Sequence, residues 1–296
     1  MKISGKVSLV TVSVAALVLS ACGSDSLGGE PAGSQAPSVS VSQDEDLSAK
    51  LPESIKSAGV IKIGTDASYA PNEFLAADGK TVQGVDVDVF NAVAAKFGVK
   101  TEWQPADFGS IINGVNGKKY DIGISSFTIN EERKKAVTMV SYFSAGTQWA
   151  TAKGNPKGVD PDNACGKTIA VQTDTVQDTD DLPARNKKCG GNEIKVLRYG
   201  GQDQATNAVV SGKADAMLAD SPVVAYAVKQ TGDKLETLGD IYEAAPYGYV
   251  LPKTETEFAD AIVEALKQIE ADGAYEAALK KWGVEQGAIS DFAVNP

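Results

Sequence analysis

Polar and charged side chains follow several apolar runs of this sequence, at the points where strands are expected to end. Asp66, Ser126 and Asp220 each stand directly after such a run, and SSFTINEERKK (residues 125–135) adds Thr128 and Arg133. Carboxylate, hydroxyl and guanidinium groups are suited to hold a charged ligand by hydrogen bonds. The chain has no histidine, which excludes Ser-His-Asp triads, Cys-His pairs and HExxH metal sites. The residue types predict binding without chemistry, with no cofactor and no metal.

Strand and helix patterns alternate along the chain, and this alternation predicts an α/β fold with a mostly parallel sheet. Residues 60–64 and 121–124 are typical of short buried strands, whereas residues 85–97 have apolar side chains at helical spacing. Ligands bind beyond the carboxyl ends of parallel strands, where loops and helix N-termini present free N–H groups. Residues 125–128 and 173–176 are both predicted to lie at such ends.

A second copy of the pattern occurs later in the chain. NAVVSGKADAMLAD (residues 207–220) resembles NGVNGKKYDIGISS (residues 113–126), since each has a helix end, Gly-Lys and an aspartate that begins a strand. Five positions after that aspartate stand Ser126 in one copy and Asp220 in the other. This quasi-repeat predicts two similar α/β lobes that face each other across a cleft.

The order of the two copies predicts how the lobes share the chain. Crossings between lobes are expected near residues 148–153 and 243–250, because the second copy falls between them. Lobe 1 is therefore predicted to be discontinuous and lobe 2 continuous; the predicted boundaries are 51–149 plus 247–296 for lobe 1, and 150–246 for lobe 2. The predicted fold is two Rossmann-like lobes with mixed, mostly parallel sheets, joined by a two-strand hinge.

The N-terminus is typical of a secretory leader. Lys2 and Lys6 precede an apolar run (residues 7–19) that is too short to span a bilayer. The run ends in LSAC at Cys22, which resembles the lipobox of bacterial lipoproteins, so residues 1–21 are predicted to be removed and Cys22 lipidated; the alternative is an ordinary cleavage site with an incidental cysteine. Residues 22–50 are predicted to be a disordered tether, because they have almost no large apolar side chain.

The charge and the cysteine content of the chain narrow the range of possible functions further. The net charge of −11 and the pI near 4.6 argue against nucleic-acid binding, which needs a basic face. The two remaining cysteines, Cys165 and Cys189, are predicted to form a structural disulfide, since an exported protein normally pairs an even set. A metal site is the weaker alternative.

Six ordered blocks resemble one family, the polar amino-acid-binding proteins of ABC importers, which have the bilobal type II periplasmic-binding fold. The resemblance covers residue 51 to the C-terminus. The blocks are GTDASYAPNEF, GVDVDVFNAVAAKFG, ISSFTINEERKK, GKTIAVQTDT, GKADAMLADSP and ADGAYEAALKKWG.

The resemblance implies a carboxylate-binding end of the site. Arg133 would form a bidentate fork to the α-carboxylate of an amino acid; a solvated helix arginine is the alternative. The N–H groups of Thr175 and Val176 would meet the carboxylate from the second lobe. The chain departs from the family here, because Asp174 stands where the family usually has glycine and Val176 lacks a hydroxyl.

The resemblance also implies an ammonium-binding end. Asp220 would supply the counter-charge, with the Thr128 hydroxyl and the Ser126 carbonyl beside it. The alternatives are an N-cap role for Asp220 before Pro222, and for Thr128 a capping box with Glu131. For Ser125 the alternatives are ligand contact and packing of the loop.

The remaining predicted contacts concern the ligand's side chain. Tyr69 and Phe108 match positions that flank the ligand, and Asp66 and Gln172 match positions that reach its distal end. Asp66 favours a hydrogen-bond donor, either an amide or a cation, whereas Gln172 suits an amide better than a charge.

The sequence therefore predicts an extracytoplasmic lipoprotein that captures a polar amino acid, glutamine-like or basic, and delivers it to an ABC permease and ATPase. It is expected to be a monomer and not an enzyme. Two alternatives remain open at this point. One is a tethered sensor ectodomain, and the other is a dehydratase-like enzyme on the same fold, for which Asp66 or Glu73 would be the candidate acid or base.

Overall fold

The computed structural model describes residues 41–296, so the predicted leader, the lipidation of Cys22 and most of the predicted tether lie outside the described residues. Ten α-helices occur in the described part, and the longest are α3 and α9. Their bounds are α1 Glu45–Ala49, α2 Glu53–Ala58, α3 Val85–Lys96, α4 Ile111–Asn116, α5 Glu131–Ala136, α6 Leu182–Asn186, α7 Gln202–Val210, α8 Ser221–Thr231, α9 Thr256–Ala271 and α10 Ala274–Trp282.

Eight strands form one mixed sheet and three short strands form a small antiparallel sheet. The main sheet has the order β5-β1-β6-β11-β7-β10-β8-β9, and the small one β2-β3-β4. The bounds are β1 Val60–Thr65, β2 Ser68–Tyr69, β3 Glu73–Leu75, β4 Val82–Gln83, β5 Lys100–Pro105, β6 Ile122–Gly123, β7 Thr138–Ala152, β8 Thr168–Gln172, β9 Lys195–Tyr199, β10 Ala216–Asp220 and β11 Leu235–Leu251.

The main sheet has two parallel halves on either side of an antiparallel centre. Strands β5, β1 and β6 pair in parallel and are called the first half; β10, β8 and β9 also pair in parallel and are called the second half. Between them lie β7 and β11, which pair antiparallel along most of their length and contact both halves. The predicted α/β class with mixed, mostly parallel sheets is confirmed. The predicted lobe boundaries stay a prediction.

The long central strands carry irregularities only in their middle. Their ladder shifts register between Leu238 and Tyr242, between Tyr242 and Ala245, and between Tyr247 and Gly248, whereas it is regular at both ends. The crossings predicted near residues 148–153 and 243–250 fall on these two strands.

The chain folds earlier than the sequence predicts, because residues 43–50 are docked and not part of a tether. Asp44 caps α1, its N–H donates to the Lys96 carbonyl at 2.8 Å, and its carboxylate accepts from Gln268 Nε2 at 2.7 Å. Leu47 is only 3% exposed and packs in the core cluster that includes Phe97. One buried leucine and a capped helix turn are enough to fix the segment. The prediction of a tether missed them because it rested on the low apolar content of residues 22–50 as a whole.

The predicted disulfide between Cys165 and Cys189 is confirmed, with the two Cα atoms 5.4 Å apart. Cys189 packs with Trp149 and Ile169 in a core cluster beside the second half of the sheet. The bond therefore ties the segment before β8 to the segment before β9.

Replacing both cysteines with serine is expected to lower the free energy of unfolding by about 3.5 kcal/mol, because a bridge of this loop length restricts the unfolded chain. The sequence separation is 24 residues. Urea denaturation of the variant beside the oxidised wild type measures the difference. A loss below about 1 kcal/mol would contradict the chain-entropy argument.

No helix within residues 41–296 is long and apolar enough to cross a membrane. Nor do His, Cys, Asp and Glu side chains in this part of the chain form a group that could hold a metal ion.

Candidate functional site

The ends of three strands converge on one cavity between the two sheet halves. The loop of residues 125–128 follows β6, Gln172 ends β8 and Asp220 ends β10. The empty space between its lining residues is about 270 Å³, part of which is open to solvent. Its lining residues are Tyr69, Phe108, Ser125, Ser126, Thr128, Arg133, Gln172, Thr175, Val176, Gln177 and Asp220.

The structure thus brings nine of the ten predicted ligand-binding residues to one cavity, and their roles toward a ligand stay predictions. Asp66 is the exception, since it lines a neighbouring groove instead. Ser125, for which two roles were open, lines the cavity as well.

Arg133 is held at the cavity by α5 and by two aromatic rings. The Asn130 side chain caps α5 by accepting from the Arg133 N–H at 2.8 Å, so Asn130 takes the N-cap position and not Thr128, for which a capping box with Glu131 was the alternative role. The guanidinium carbon lies 5.3 Å from the ring centroid of Phe108 and 5.4 Å from that of Phe127. Such cation–π contacts orient the guanidinium plane.

The guanidinium also bridges the two sheet halves. Nη1 donates to the Thr128 carbonyl at 2.8 Å and Nη2 to the Asp174 carbonyl at 3.3 Å. Burial lowers the pKa of Arg133 to about 10, which leaves the group positive at neutral pH. The guanidinium thus lines the cavity and contacts protein groups while the residue is partly exposed, and its role toward a ligand stays a prediction.

Asp220 is the negative group of the cavity. Its carboxylate is held by Gln177 Nε2 at 2.8 Å and by the Tyr247 hydroxyl at 2.7 Å, and it is only 6% exposed. Burial raises its pKa, while these donors and the charge of Arg133 act in the opposite direction. Asp220 stands at the N-cap position of α8, but its side chain accepts no hydrogen bond from the helix. The carboxylate is thus free of the capping role that the sequence left open.

Asp66 and Gln172 form a polar contact between the two sheet halves. Asp66 accepts from the Phe108 N–H at 3.2 Å, from the Ser68 N–H at 3.1 Å and from Gln172 Nε2 at 3.0 Å. Gln172 Nε2 also donates to the Gly200 carbonyl at 3.1 Å. Because both amide protons of Gln172 are engaged, its Oε1 remains the acceptor that the side chain can offer to a ligand. Burial raises the pKa of Asp66.

Asp174 lies in the turn after β8, at the position where the family resemblance implies a glycine. Asp174 has a φ of +64°, a left-handed conformation that a side chain makes costly. Its N–H donates to Asp178 at 3.2 Å, and the Thr175 hydroxyl donates to the Gln172 carbonyl at 2.8 Å. The Asp174 carboxylate lies against Gly109 of the other sheet half, where an added Cβ would stand 1.9 Å from Oδ2.

Replacing Gly109 with alanine is expected to weaken ligand binding only about threefold, because the added methyl group displaces the Asp174 carboxylate, which is the end of an exposed side chain and can move toward solvent. Asp174→Gly in the same chain removes the clashing carboxylate and is expected to restore the affinity. Calorimetric titration of the single and double variants measures both effects. Equal affinity of Gly109→Ala and wild type would show that the contact is not made in the ligand-bound protein.

Sequence reasoning missed two residues at the acidic end of the cavity. Gln177 follows directly after Val176, the last residue of the predicted binding segment 173–176. Extending that predicted segment by one residue would have included it. Tyr247 comes from β11, and its hydroxyl reaches Asp220 only because the central strands lie beside β10. No local pattern in the sequence signals that contact.

The fold and this cavity agree with the comparison to known proteins. The chain belongs to the bacterial extracellular solute-binding proteins, family 3, whose sequence profile matches residues 61–285. The arginine-binding protein ArgT of Corynebacterium glutamicum is 36% identical over 253 residues, which cover 84% of this chain and 83% of ArgT.

Two solved structures are similar in three dimensions. An ancestral arginine-binding protein bound to arginine has a TM-score of 0.71 and 32% identity, covering 76% of this chain and 98% of its own. An ancestral arginine-binding protein bound to glutamine has a TM-score of 0.70 and 32% identity, covering 77% and 99%. The chain is therefore an amino-acid-binding protein of the solute-binding class, as the sequence predicted.

Proposed function

We propose that this protein binds a basic L-amino acid, with arginine as the preferred ligand, and delivers it to an ABC importer. The observation that carries the proposal is the pair of opposite charges, Arg133 and Asp220, on one enclosed cavity. A free α-amino acid is a small ligand that carries a carboxylate and an ammonium group on the same carbon atom. Arg133 binds the carboxylate, helped by the N–H groups of Thr175 and Val176. Asp220, the Ser126 carbonyl and the Thr128 hydroxyl bind the ammonium.

The preference for a basic side chain rests on acceptors at the other end of the cavity. Gln172 has Oε1 to offer, and its Nε2 contacts the Asp66 carboxylate. Acceptors beside a buried negative charge favour a donor-rich cation over an acidic or apolar side chain. Tyr69 and Phe108 flank the aliphatic part of the ligand. The names of ArgT and of the arginine-bound ancestral protein support the same preference.

Glutamine is the second candidate, because its terminal amide also donates hydrogen bonds. A similar structure is described as bound to glutamine. Glutamine has no positive charge to interact with the Asp66 carboxylate that lies beside Gln172, so we expect it to bind more weakly than arginine.

The proposed cellular location follows from the family of extracellular solute-binding proteins to which the chain belongs. We infer that the protein acts outside the cytoplasm as a monomer, that residues 1–21 are its leader and that a lipid on Cys22 holds it at the membrane beside its permease. Mass spectrometry of the protein purified from membranes would show a diacylglycerol on Cys22, and an unmodified cysteine would contradict the anchor.

Calorimetric titration of the purified protein, unfolded and refolded to remove carried-over ligand, tests the binding proposal. Arginine is expected to bind most tightly among the twenty amino acids. Agmatine, which lacks the carboxylate, and N-acetylarginine, which lacks the ammonium, are expected to fail. Binding of agmatine as tight as that of arginine would contradict the zwitterion site, and absence of heat with all amino acids would refute the proposed function.

A further inference from the structure

Two buried carboxyl groups lie beside the cavity without lining it. Glu73 on β3 is 0% exposed and Asp86 in the first turn of α3 is 1% exposed. Both carboxyl groups lie within hydrogen-bond distance of the same Ser126 hydroxyl, Glu73 Oε2 at 3.1 Å and Asp86 Oδ2 at 3.3 Å. Burial of two adjacent acids costs several kcal/mol unless a proton or a cation compensates, so their presence calls for a physical reason.

Both carboxyl groups hold the two serines that line the cavity. Glu73 accepts from the Ser125 hydroxyl at 2.9 Å and from the Ser126 hydroxyl at 3.1 Å. Asp86 accepts from the Ser126 N–H at 3.2 Å. The Ser125 hydroxyl in turn accepts from the Asp66 N–H at 3.0 Å. Through these bonds the pair fixes the ends of both β1 and β6.

Ser126 needs this support because its backbone is strained. Its φ is +50°, a left-handed conformation that costs a residue other than glycine about 1–2 kcal/mol. That conformation determines where the Ser126 carbonyl, the proposed ammonium ligand, is directed. Asp86 stabilises it through the Ser126 N–H, and Asn72 Nδ2 donates to the Ser126 hydroxyl at 2.8 Å.

No cation compensates the two acids in the described part of the chain. The titratable groups that act most strongly on them are acidic or phenolic, and they come from several of the elements packed around the pair. They are Asp66 and Tyr69 near β1 and β2, Tyr142 on β7, Tyr249 on β11 and Tyr275 on α10. The Tyr142 hydroxyl donates to Asp86 at 2.5 Å. A proton shared between the two acids would leave the pair with a single negative charge.

We infer that Glu73 and Asp86 share one proton and act as positioning residues that hold the Ser125–Ser126 turn in its ligand-binding conformation. The inference rests on the proposed function, since it assigns these residues a role in amino-acid binding at the same cavity. Glu73 carries the proton and donates to Asp86, which stays ionised and accepts from Ser126 and Tyr142.

The direction of the pKa shifts agrees with this arrangement. Burial raises the pKa of Glu73 well above its ordinary value, and the charge of Asp86 raises it further. Burial also raises the pKa of Asp86, while the donors from Tyr142 and Ser126 oppose the shift. A raised pKa means that the folded protein holds the proton after the unfolded chain would lose it. Stability therefore falls as the pH rises from the unfolded pKa to the folded pKa.

Variants at Glu73 separate a positioning role from simple packing. Glu73→Gln keeps a donor toward Asp86 and an acceptor toward the serines, so arginine affinity is expected to stay within about threefold of wild type. Glu73→Leu keeps the volume but loses every hydrogen bond, and we expect roughly 30-fold weaker binding. Glu270→Gln, a partly buried glutamate on α9, is the matched control and should change nothing.

Two further measurements keep the test decisive if Glu73→Leu does not fold. Infrared spectroscopy of the ligand-free protein at pH 7 is expected to show the carbonyl band of a protonated carboxyl group. This band is expected to be absent in Glu73→Gln. Tyr142→Phe removes a donor to Asp86 outside the cavity, and we expect about fivefold weaker binding and a shifted band.

The outcomes of these experiments distinguish the proposed amino-acid-binding function from the positioning role of Glu73 and Asp86. If wild type binds no amino acid, the proposed function fails. If wild type binds arginine but Glu73→Leu binds equally well, or if Glu73→Gln loses the affinity, or if the infrared band is absent, the positioning role is overturned while the proposed function stands.

Discussion

Replacing Arg133 with alanine is expected to weaken arginine binding by about 2–5 kcal/mol, which is roughly 30-fold to 4,000-fold. The variant leaves the ligand's carboxylate in an enclosed cavity without its charge partner. It also removes the hydrogen bonds from the guanidinium to Thr128 and Asp174, the second of which joins the two sheet halves. Calorimetric titration with arginine measures the loss.

Lys135→Ala is the matched control for this prediction, because it removes the same charge from the same helix. Lys135 pairs with Glu132 and its side chain is 72% exposed, so we expect no change in affinity. Agmatine adds a second control, since its low affinity should be the same for wild type and Arg133→Ala. An Arg133→Ala protein that unfolds like wild type and binds arginine normally would remove Arg133 from the site.

Asp220→Asn is expected to weaken arginine binding by a similar amount, about 2–5 kcal/mol, because the ligand's ammonium then lacks a buried counter-charge. The substitution keeps the shape of the side chain and one of the acceptors that Gln177 and Tyr247 use. The result thus reports on charge more than on packing. Titration with arginine, together with a thermal unfolding curve, measures binding and folding separately.

Asp240→Asn, at an exposed position of β11, is the control for net charge and should bind like wild type. Combining Arg133→Ala with Asp220→Asn is expected to abolish detectable heat. If Asp220→Asn alone binds arginine with full affinity, the ammonium is held by neutral acceptors such as the Ser126 carbonyl, and the charge-pair interpretation of the cavity is wrong.

The sequence predicts the site well wherever a strand end places a side chain. Asp220 and Ser126 could be paired from the quasi-repeat because parallel strands of similar lobes end at corresponding places. Arg133 needed the family resemblance, since an arginine among charged neighbours on a short helix has no signal of its own. Asp66 illustrates the limit of this reasoning, because a residue at the expected strand end lies behind Gln172 and Phe108 and outside the cavity lining.

The features that the sequence did not reveal depend on long-range packing. Glu73 and Asp86 lie on different elements, and nothing in APNEF or GVDVDV shows that their carboxyl groups meet. Leu47 is one apolar residue in a polar segment, and its burial depends on the surface that α3 and α9 provide. Such contacts depend on where distant elements lie, which local periodicity does not record.

The interrupted ladder between β7 and β11 has a mechanical consequence. Both ends of this two-stranded ribbon are regular, whereas the register shifts fall between Leu238 and Gly248. We expect the ribbon to bend at this stretch when the two sheet halves close over a ligand. Because such a bend would change few backbone dihedral angles, little conformational entropy would be lost and most of the contact energy would remain available as affinity.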